Sequence, residues 1–245
     1  YKQLNELLTN YGDVFEIWFD GANGGDGWYG GAKDVRTIDR KTYYDYPRAY
    51  KMIDELQPQA VIFSDGGPGC RWVGNESGFA GATNWSFLRA GEVYPGYPKY
   101  RELQYGHADG NQWVAAECDV SIRPGWFYHP EEDDKVKTVD QLTDLYYRSV
   151  GHNATLLLNF PVDRNGLIHP TDSLNAVSFH QRVQKELADN LLSSAKVVAS
   201  DERGGKFKVR AATDGQYETY WATNDGVTSA DLTFTFTQPT KMNRV

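Results

Sequence analysis

The sequence predicts an α/β fold: a (β/α)8 barrel of the TIM type, of which only the C-terminal half is visible, followed by the start of a β-sandwich. Patterns typical of buried strands alternate with patterns typical of helices, and the strands end on polar side chains, as they do where a parallel sheet builds a site. After Ser193 the pattern changes to short alternating strands with turn signals. We therefore assign residues 1–192 to the half barrel and residues 193–245 to the beginning of the sandwich.

Four apolar runs predict the strands of a parallel sheet, because a parallel strand covered on both faces has a nearly continuous apolar sequence. They are residues 14–20, 60–65, 112–117 and 154–160, and they end on or near Asp20, Asp65, Glu117 and Asn159. A complete barrel of this type has eight strands, so four strands predict its second half.

Helical spacing of apolar residues separates these strands. Helices are predicted over residues 1–11, 42–56, 139–151 and 172–192, with a short candidate over 98–104. Residues 66–111 form a long loop rich in glycine and aromatic residues, and loops of this length are usually functional. In the second domain, strands are predicted over 206–211 and 232–236.

Composition restricts the partners. The net charge is −8 and no basic cluster occurs, which argues against nucleic acid and anionic membrane surfaces. No apolar run is long enough to span a bilayer. The chain contains 16 Tyr, 11 Phe and 7 Trp, and this aromatic surplus makes carbohydrate an early candidate ligand, since sugar rings stack on aromatic faces.

No cofactor or metal is predicted. The sequence lacks phosphate-binding glycine motifs, HExxH and GxSxG, and the spacing of Asp20, Asn23 and Asp26 lacks the later glutamate of a calcium loop. The two cysteines, Cys70 and Cys118, could form one bridge, but two free buried thiols are the favoured interpretation.

Asp20 is the first candidate for chemistry. An aspartate before glycine is often only a turn residue. Its position at a strand end beside Trp18 and Phe19, with further strands ending on acids, favours a nucleophile that attacks an anomeric carbon.

Three carboxylates could serve as the partner acid: Asp65, Glu76 and Glu117. Glu76 lies in a loop near Trp72, where apolar surroundings can raise a carboxyl pKa. The plain alternative for Glu76 is an exposed loop residue. For Glu117 it is a buried carboxylate at a strand end that holds Arg71 or Arg123.

The order and spacing of several segments resemble family 29 of the glycoside hydrolases, the α-L-fucosidases. The resemblance covers about residues 1–190. It rests on Tyr11-Gly12 with Ile17-Trp18-Phe19-Asp20-Gly21, Phe63-Ser64-Asp65, Glu117 to Tyr128, and Leu156-Leu157-Leu158-Asn159-Phe160-Pro161 with Asp163, Gly166 and Ile168. The segment Arg71-Trp72-Val73-Gly74-Asn75-Glu76 is most similar to the branch that acts on α-1,3/1,4-linked fucose.

The resemblance implies a retaining exo-glycosidase that removes terminal α-L-fucose by double displacement. It implies Asp20 as nucleophile and Glu76 as acid/base, with Glu117 as the alternative acid/base. Three further positions match residues that line the fucose subsite: Trp18, Arg71 and Trp126. The implied partner is a fucosylated oligosaccharide or glycan.

One departure is large: the histidines and the His-Trp pair of the family's N-terminal barrel half are absent, so we expect the chain to be part of a longer protein. The tail, Ala212-Thr213-Asp214-Gly215 with Thr219-Tyr220-Trp221, resembles the start of a discoidin-like β-sandwich. The substrate class implies a secreted or periplasmic protein. The rival hypothesis is a non-catalytic carbohydrate-binding protein on a decayed barrel.

Overall fold

The structure is a computed structural model that describes residues 1–20, 25–28 and 33–242. Asn23, part of the calcium spacing considered above, lies outside the described residues. The chain forms two compact units, Tyr1–His180 and Gln181–Val245. The domain boundary between residues 192 and 193 stays a prediction.

The described residues contain eleven strands and four α-helices. The strands are β1 (Glu16–Trp18), β2 (Gly25–Gly27), β3 (Arg36–Ile38), β4 (Val61–Ser64), β5 (Cys70–Trp72), β6 (Phe87–Leu88), β7 (Gln112–Trp113), β8 (Ala115–Ser121), β9 (Ala154–Asn159), β10 (Lys196–Ala199) and β11 (Leu232–Thr235). The helices are α1 (Lys2–Asn10), α2 (Tyr46–Leu56), α3 (Val139–Ser149) and α4 (Pro170–Glu186).

The first unit is built on a five-stranded sheet in the order β1-β4-β5-β8-β9. All four pairings are parallel, with Trp18 opposite Phe63 and Trp72 opposite Glu117. The predicted parallel half-barrel sheet is therefore confirmed as a parallel sheet in an α/β unit. Its carboxyl edge collects the ends of β1, β4 and β5, and this edge positions the site.

Helices cover the sheet through apolar contacts. Leu8 of α1 and Ile53 of α2 pack against Ile62 of β4. Leu142 and Leu145 of α3 are buried with Val120 of β8, in a cluster that also receives Leu156 and Phe179. A capping box fixes the start of α3, because Thr138 and Gln141 each bond the other's backbone N–H.

The sheet has one strand more than the sequence predicted. Strand β5 lies inside the predicted loop 66–111. It escaped prediction because it is three residues long and its middle residue is Arg71, whose side chain is completely buried. The alternation of apolar and polar residues that predicts strands assigns an arginine to the solvent side, so it does not predict a strand with a buried arginine.

The predicted strand 112–117 is wrong in its bounds. Gln112–Trp113 pair antiparallel with β6, and a separate strand, β8, continues from Ala115 to Ser121. Glu117 therefore lies within β8 rather than at a strand end. The far half of β8 was not predicted because Asp119 and Ser121 are buried polar residues that interrupt the apolar pattern.

Three further expectations need correction. The helix predicted from residue 42 begins at Tyr46, because the Thr42 hydroxyl donates to Asp39 in a turn that precedes it. The helix predicted to residue 192 ends at Glu186. Residues 206–211 form short 3-10 turns instead of a strand, and the Val209 amide donates to the Glu202 carboxylate.

The second unit contains the antiparallel pair β10 and β11. The strand predicted over 232–236 is thus present, whereas its partner β10 was not predicted. Cys70 and Cys118 are both free and buried, as the sequence favoured. None of the helices in the described ranges has the length and apolar character needed to cross a bilayer.

Candidate active site

A cavity of about 530 Å³ opens at the carboxyl edge of the sheet. Four acids line it: Asp20, Asp65, Glu76 and Asp119. Aromatic rings form much of the remaining wall: Trp18, Phe19, Trp72, Tyr97 and Tyr100. Clustered acids beside aromatic faces suit the binding of a sugar ring and acid–base work on it.

Asp20 and Asp65 come from neighbouring strands. Asp20 follows β1 by two residues and is exposed at the cavity, and the Phe19 amide donates to the Phe63 carbonyl to hold this segment on β4. Asp65 directly follows β4, and its Oδ2 accepts from the Gly96 amide at 2.7 Å. Burial raises the pKa of Asp65, the Gly96 bond opposes this shift, and the charge of Asp20 adds to it.

Glu76 lies in the loop after β5 and is hydrogen-bonded to Trp126, another of the residues named from the sequence. The Trp126 indole Nε1 donates to Glu76 Oε2 at 3.1 Å. The Trp126 carbonyl in turn accepts from Asn159 Nδ2 at 3.1 Å, at the end of β9. A strand-end amide thus positions the loop that orients the candidate acid/base.

Asp119 is a site residue that sequence reasoning missed. It lies on β8, is only 3% exposed, and accepts at 2.8 Å from the indole Nε1 of Trp72. Burial raises the pKa of Asp119 to about 6; the Trp72 bond opposes the shift, and the charges of Glu76 and Glu117 add to it. Its spacing of two from Glu117 on a strand could have revealed it, because such residues share a face.

Trp18 lines the cavity and is 47% exposed, with its ring stacked on Phe63 at a centroid distance of 5.8 Å. Its role in the fucose subsite stays a prediction. Its exposed indole face is available to a ligand. Trp72 stacks similarly on Tyr100, at 6.1 Å. The two stacked pairs give the cavity two rigid aromatic surfaces.

The Arg71 side chain lies behind the cavity wall rather than in it. Its guanidinium donates to the carbonyls of Leu103 and Val114 at 2.9 and 2.6 Å and to Asn84 Oδ1 at 2.5 Å. Burial lowers the pKa of Arg71 to about 10. Because neighbouring strand residues point to opposite faces, Trp72 enters the cavity and Arg71 does not. Its role in the fucose subsite stays a prediction.

Glu117 is also set back from the cavity lining. It is 6% exposed, and its Oε2 accepts from the Thr155 hydroxyl at 2.6 Å. Neither predicted arginine partner is bound to it. Arg71 has the contacts given above, and Arg123 is paired with Asp172 at 2.8 Å and Asp133 at 2.9 Å. The structure thus brings Asp20 and Glu76 to one cavity and leaves the alternative acid, Glu117, beneath it.

A cavity lined by carboxylates and aromatic rings, at the carboxyl ends of parallel strands, is the arrangement found in glycoside hydrolases. The sequence model of the family described as Alpha-L-fucosidase matches residues 1–179. The chain belongs to this family.

Known proteins agree with this assignment. Putative alpha-L-fucosidase 1 of rice (Oryza sativa subsp. japonica) is 40% identical over 247 aligned positions, which cover 98% of this chain and 44% of the rice protein. The structure of a putative alpha-L-fucosidase from Bacteroides thetaiotaomicron matches with a TM-score of 0.81 and 42% identity, covering 96% of this chain and 49% of that one.

A glycoside hydrolase 29 fucosidase from Ruminococcus gnavus, solved in complex with fucose, matches with a TM-score of 0.74 and 30% identity. That match covers 94% of this chain and 47% of the Ruminococcus chain. The present chain therefore spans less than half the length of each of these three relatives.

Proposed function

We propose that this chain carries the nucleophile and the acid/base of a retaining exo-glycosidase that releases terminal α-L-fucose. The observation that carries the proposal is that Asp20 and Glu76 line one cavity in a chain of the α-L-fucosidase family. The substrates would be fucosylated oligosaccharides or glycoconjugates with α-1,3/1,4-linked fucose. The fucose complex of the Ruminococcus relative supports the choice of sugar.

The reaction would proceed in two displacements. Asp20 attacks the anomeric carbon and forms a glycosyl-enzyme ester while the Glu76 carboxylic acid protonates the leaving oxygen. Water then attacks the anomeric carbon while Glu76 removes its proton as general base, the bond from that carbon to Asp20 breaks, and fucose leaves with the Asp20 carboxylate restored. Retaining glycosidases hold the two carboxyl groups about 5–5.5 Å apart, which this pair would have to reach with sugar bound.

The surrounding residues would hold the sugar and the acid in place. The Trp18 and Trp72 faces offer stacking surfaces, and the Trp126 indole fixes the direction of the Glu76 carboxyl group. Asp119, on β8, is hydrogen-bonded to Trp72 and offers a further acceptor for the hydroxyl groups of the sugar.

The part of the relatives that this chain does not cover would supply the other barrel strands and complete the fucose subsite. Two edges of the five-stranded sheet, β1 and β9, are free to pair with them. The second unit would then be the start of a discoidin-like β-sandwich, and fucosylated glycans as substrates would place the protein outside the cytoplasm or in the periplasm. The rival hypothesis of a sugar-binding protein without activity is disfavoured because both carboxylates line the cavity.

The substitution Asp20→Asn tests the proposal. It keeps the side-chain volume but removes the nucleophile, so we expect hydrolysis of an aryl α-L-fucoside to fall by about a thousandfold or more. Fucose binding, measured by calorimetry, should persist. Asp13→Asn is the matched control, since Asp13 is exposed and outside the cavity lining. An Asp20→Asn protein with undiminished turnover would refute the proposal, and a wild type that binds fucosides without releasing fucose would favour the binding-only rival.

A further inference from the structure

Three residues of the cavity lining lie on or directly after sheet strands: Trp18, Trp72 and Asp119; we call them the cavity floor. Each stands two residues after a polar residue on its strand, and these polar residues form a layer beneath the floor. Those residues are Glu16 on β1, Cys70 on β5 and Glu117 on β8, and they point to the same side as the floor residues because the strand period is two. Thr155 on β9 lies opposite Glu117 in the sheet register.

The carboxylate of Glu117 is only half satisfied within this layer. Thr155 donates to its Oε2, whereas its Oε1 is buried and accepts no hydrogen bond from a nitrogen or oxygen donor of the described residues. The thiol of Cys70, a weak donor, also lies within hydrogen-bonding reach of Glu117. The carboxyl group of Glu16 lies within hydrogen-bonding reach of Glu117. The Glu16 carboxyl group can donate a hydrogen bond to Glu117 Oε1 only when it carries a proton.

We propose that Glu16 and Glu117 share one proton, held on Glu16 and donated to Glu117, and that this pair is a positioning element for the cavity floor. The pair joins β1, which leads to Asp20, with β8, which carries Asp119, across the two strands between them. The inference does not depend on the proposed function, since it concerns a layer that the proposed reaction leaves untouched.

The groups that face the pair favour a proton over a cation. The pKa of Glu16 is raised to about 7, chiefly by burial and in smaller part by the charge of Glu117 and the hydrogen bond to it. Burial and the two carboxyl groups raise the pKa of the Cys70 thiol, which therefore remains neutral. Asp119 above and Thr155 beside the pair add no positive charge, and within the described ranges no set of three metal-binding side chains is assembled.

The shared proton gives a signature in stability. An ordinary glutamate ionises near pH 4.5, whereas Glu16 in the folded chain keeps its proton to about pH 7. Between these values the folded chain binds more protons than the unfolded chain, so its free energy of unfolding falls as pH rises, and the fall stops above about pH 7. Glu16→Gln supplies a permanent N–H donor of the same size, so the part of the fall that comes from Glu16 should be lost. The raised pKa of Asp119 leaves a separate fall that ends near pH 6 in both proteins.

Carboxyl ¹³C NMR on the full chain labelled at glutamate tests the proposal. The Glu16 signal, assigned by its loss in Glu16→Gln, should titrate with a midpoint near pH 7. In Glu117→Gln the midpoint should move down, and in the exposed control Glu6→Gln it should stay in place. A wild-type midpoint near the ordinary value overturns the proposal, as does a midpoint that Glu117→Gln leaves unchanged.

Two further measurements separate a positioning pair from other arrangements. The indole N–H signal of Trp72 should follow its own acceptor, Asp119, near pH 6 in all variants. In the wild type it should show a second component with the Glu16 midpoint, and Glu16→Gln should lose that component; a wild-type Trp72 signal without it overturns the positioning role. Added Ca²⁺ or Mg²⁺ should leave the Glu16 midpoint unchanged, and a downward shift would show a cation site instead. If Glu117→Gln fails to fold, the free energy of unfolding of Glu16→Gln and Glu6→Gln is measured in urea across the pH window. It should fall more steeply with pH in Glu6→Gln, and equal slopes would overturn the proposal.

Discussion

At the scale of single residues, two indole N–H groups orient two of the acids that line the cavity. Trp126 donates to Glu76, and Trp72 donates to Asp119. The two acids differ in their surroundings, because Glu76 is exposed and Asp119 is buried. An indole is a donor only, so each contact fixes the position of one carboxylate oxygen without competing for its proton.

The role of the Trp126 contact can be tested by Trp126→Phe. The ring remains but the N–H is lost, so Glu76 should sample more orientations and kcat for an aryl fucoside should fall about tenfold. Phe127→Leu is the control, since Phe127 is adjacent and largely exposed. A Trp126→Phe enzyme as fast as the wild type would show that this bond does not orient the acid.

The choice between Glu76 and Glu117 can be decided by azide rescue. In Glu76→Ala the nucleophile remains, and azide can attack the glycosyl-enzyme without a general base, so turnover of an aryl fucoside with a good leaving group should recover. Glu117→Ala should not respond to azide, because its carboxylate lies in the layer below the cavity. Rescue of Glu117→Ala alone would identify Glu117 as the acid/base.

At the scale of elements, the three-residue strand β5 depends on Arg71. Its guanidinium satisfies two backbone carbonyls and the Asn84 side chain from a fully buried position. One residue further, Trp72 enters the cavity, and the loop that follows carries Glu76. The arginine thus fixes the strand that carries Trp72 and that leads into the loop of Glu76.

Arg71→Met tests this structural role. The substitution leaves buried acceptors without donors, so the free energy of unfolding in urea should fall by about 2–4 kcal/mol. Arg164→Met, at an exposed position, should change stability little. Unchanged stability of Arg71→Met together with weaker fucose binding would instead support the direct fucose contact that the family resemblance implies.

The sequence predicted those elements whose apolar periodicity is strong. Helices α1 and α3 and strand β9 lie close to their predicted positions, since each presents a regular apolar face. Strand β5 and the far half of β8 were missed because buried polar residues break that periodicity. One of these polar residues, Asp119, lines the cavity and was overlooked for this reason, whereas Asp20, Glu76, Trp18 and Trp126 were named as candidates.

At the scale of the whole molecule, the chain presents a parallel sheet with a cavity at its carboxyl edge, and no other strand of the described residues pairs with the outer edges of β1 and β9. Because the relatives are more than twice as long, we propose that their additional strands close the barrel and cover the cavity. No periodicity within the chain could have predicted the depth of the closed site, because part of its wall would come from those strands.

The most direct test of the account is to trap the glycosyl-enzyme ester. A 2-deoxy-2-fluoro-fucosyl fluoride slows both displacements, but its good leaving group lets the first proceed, so the ester accumulates. Mass spectrometry of peptic fragments should then find one fluorofucosyl group on the carboxylate of Asp20. A label on Asp65 or Asp119, or inactivation without any ester at Asp20, would contradict the assignment of Asp20 as the nucleophile.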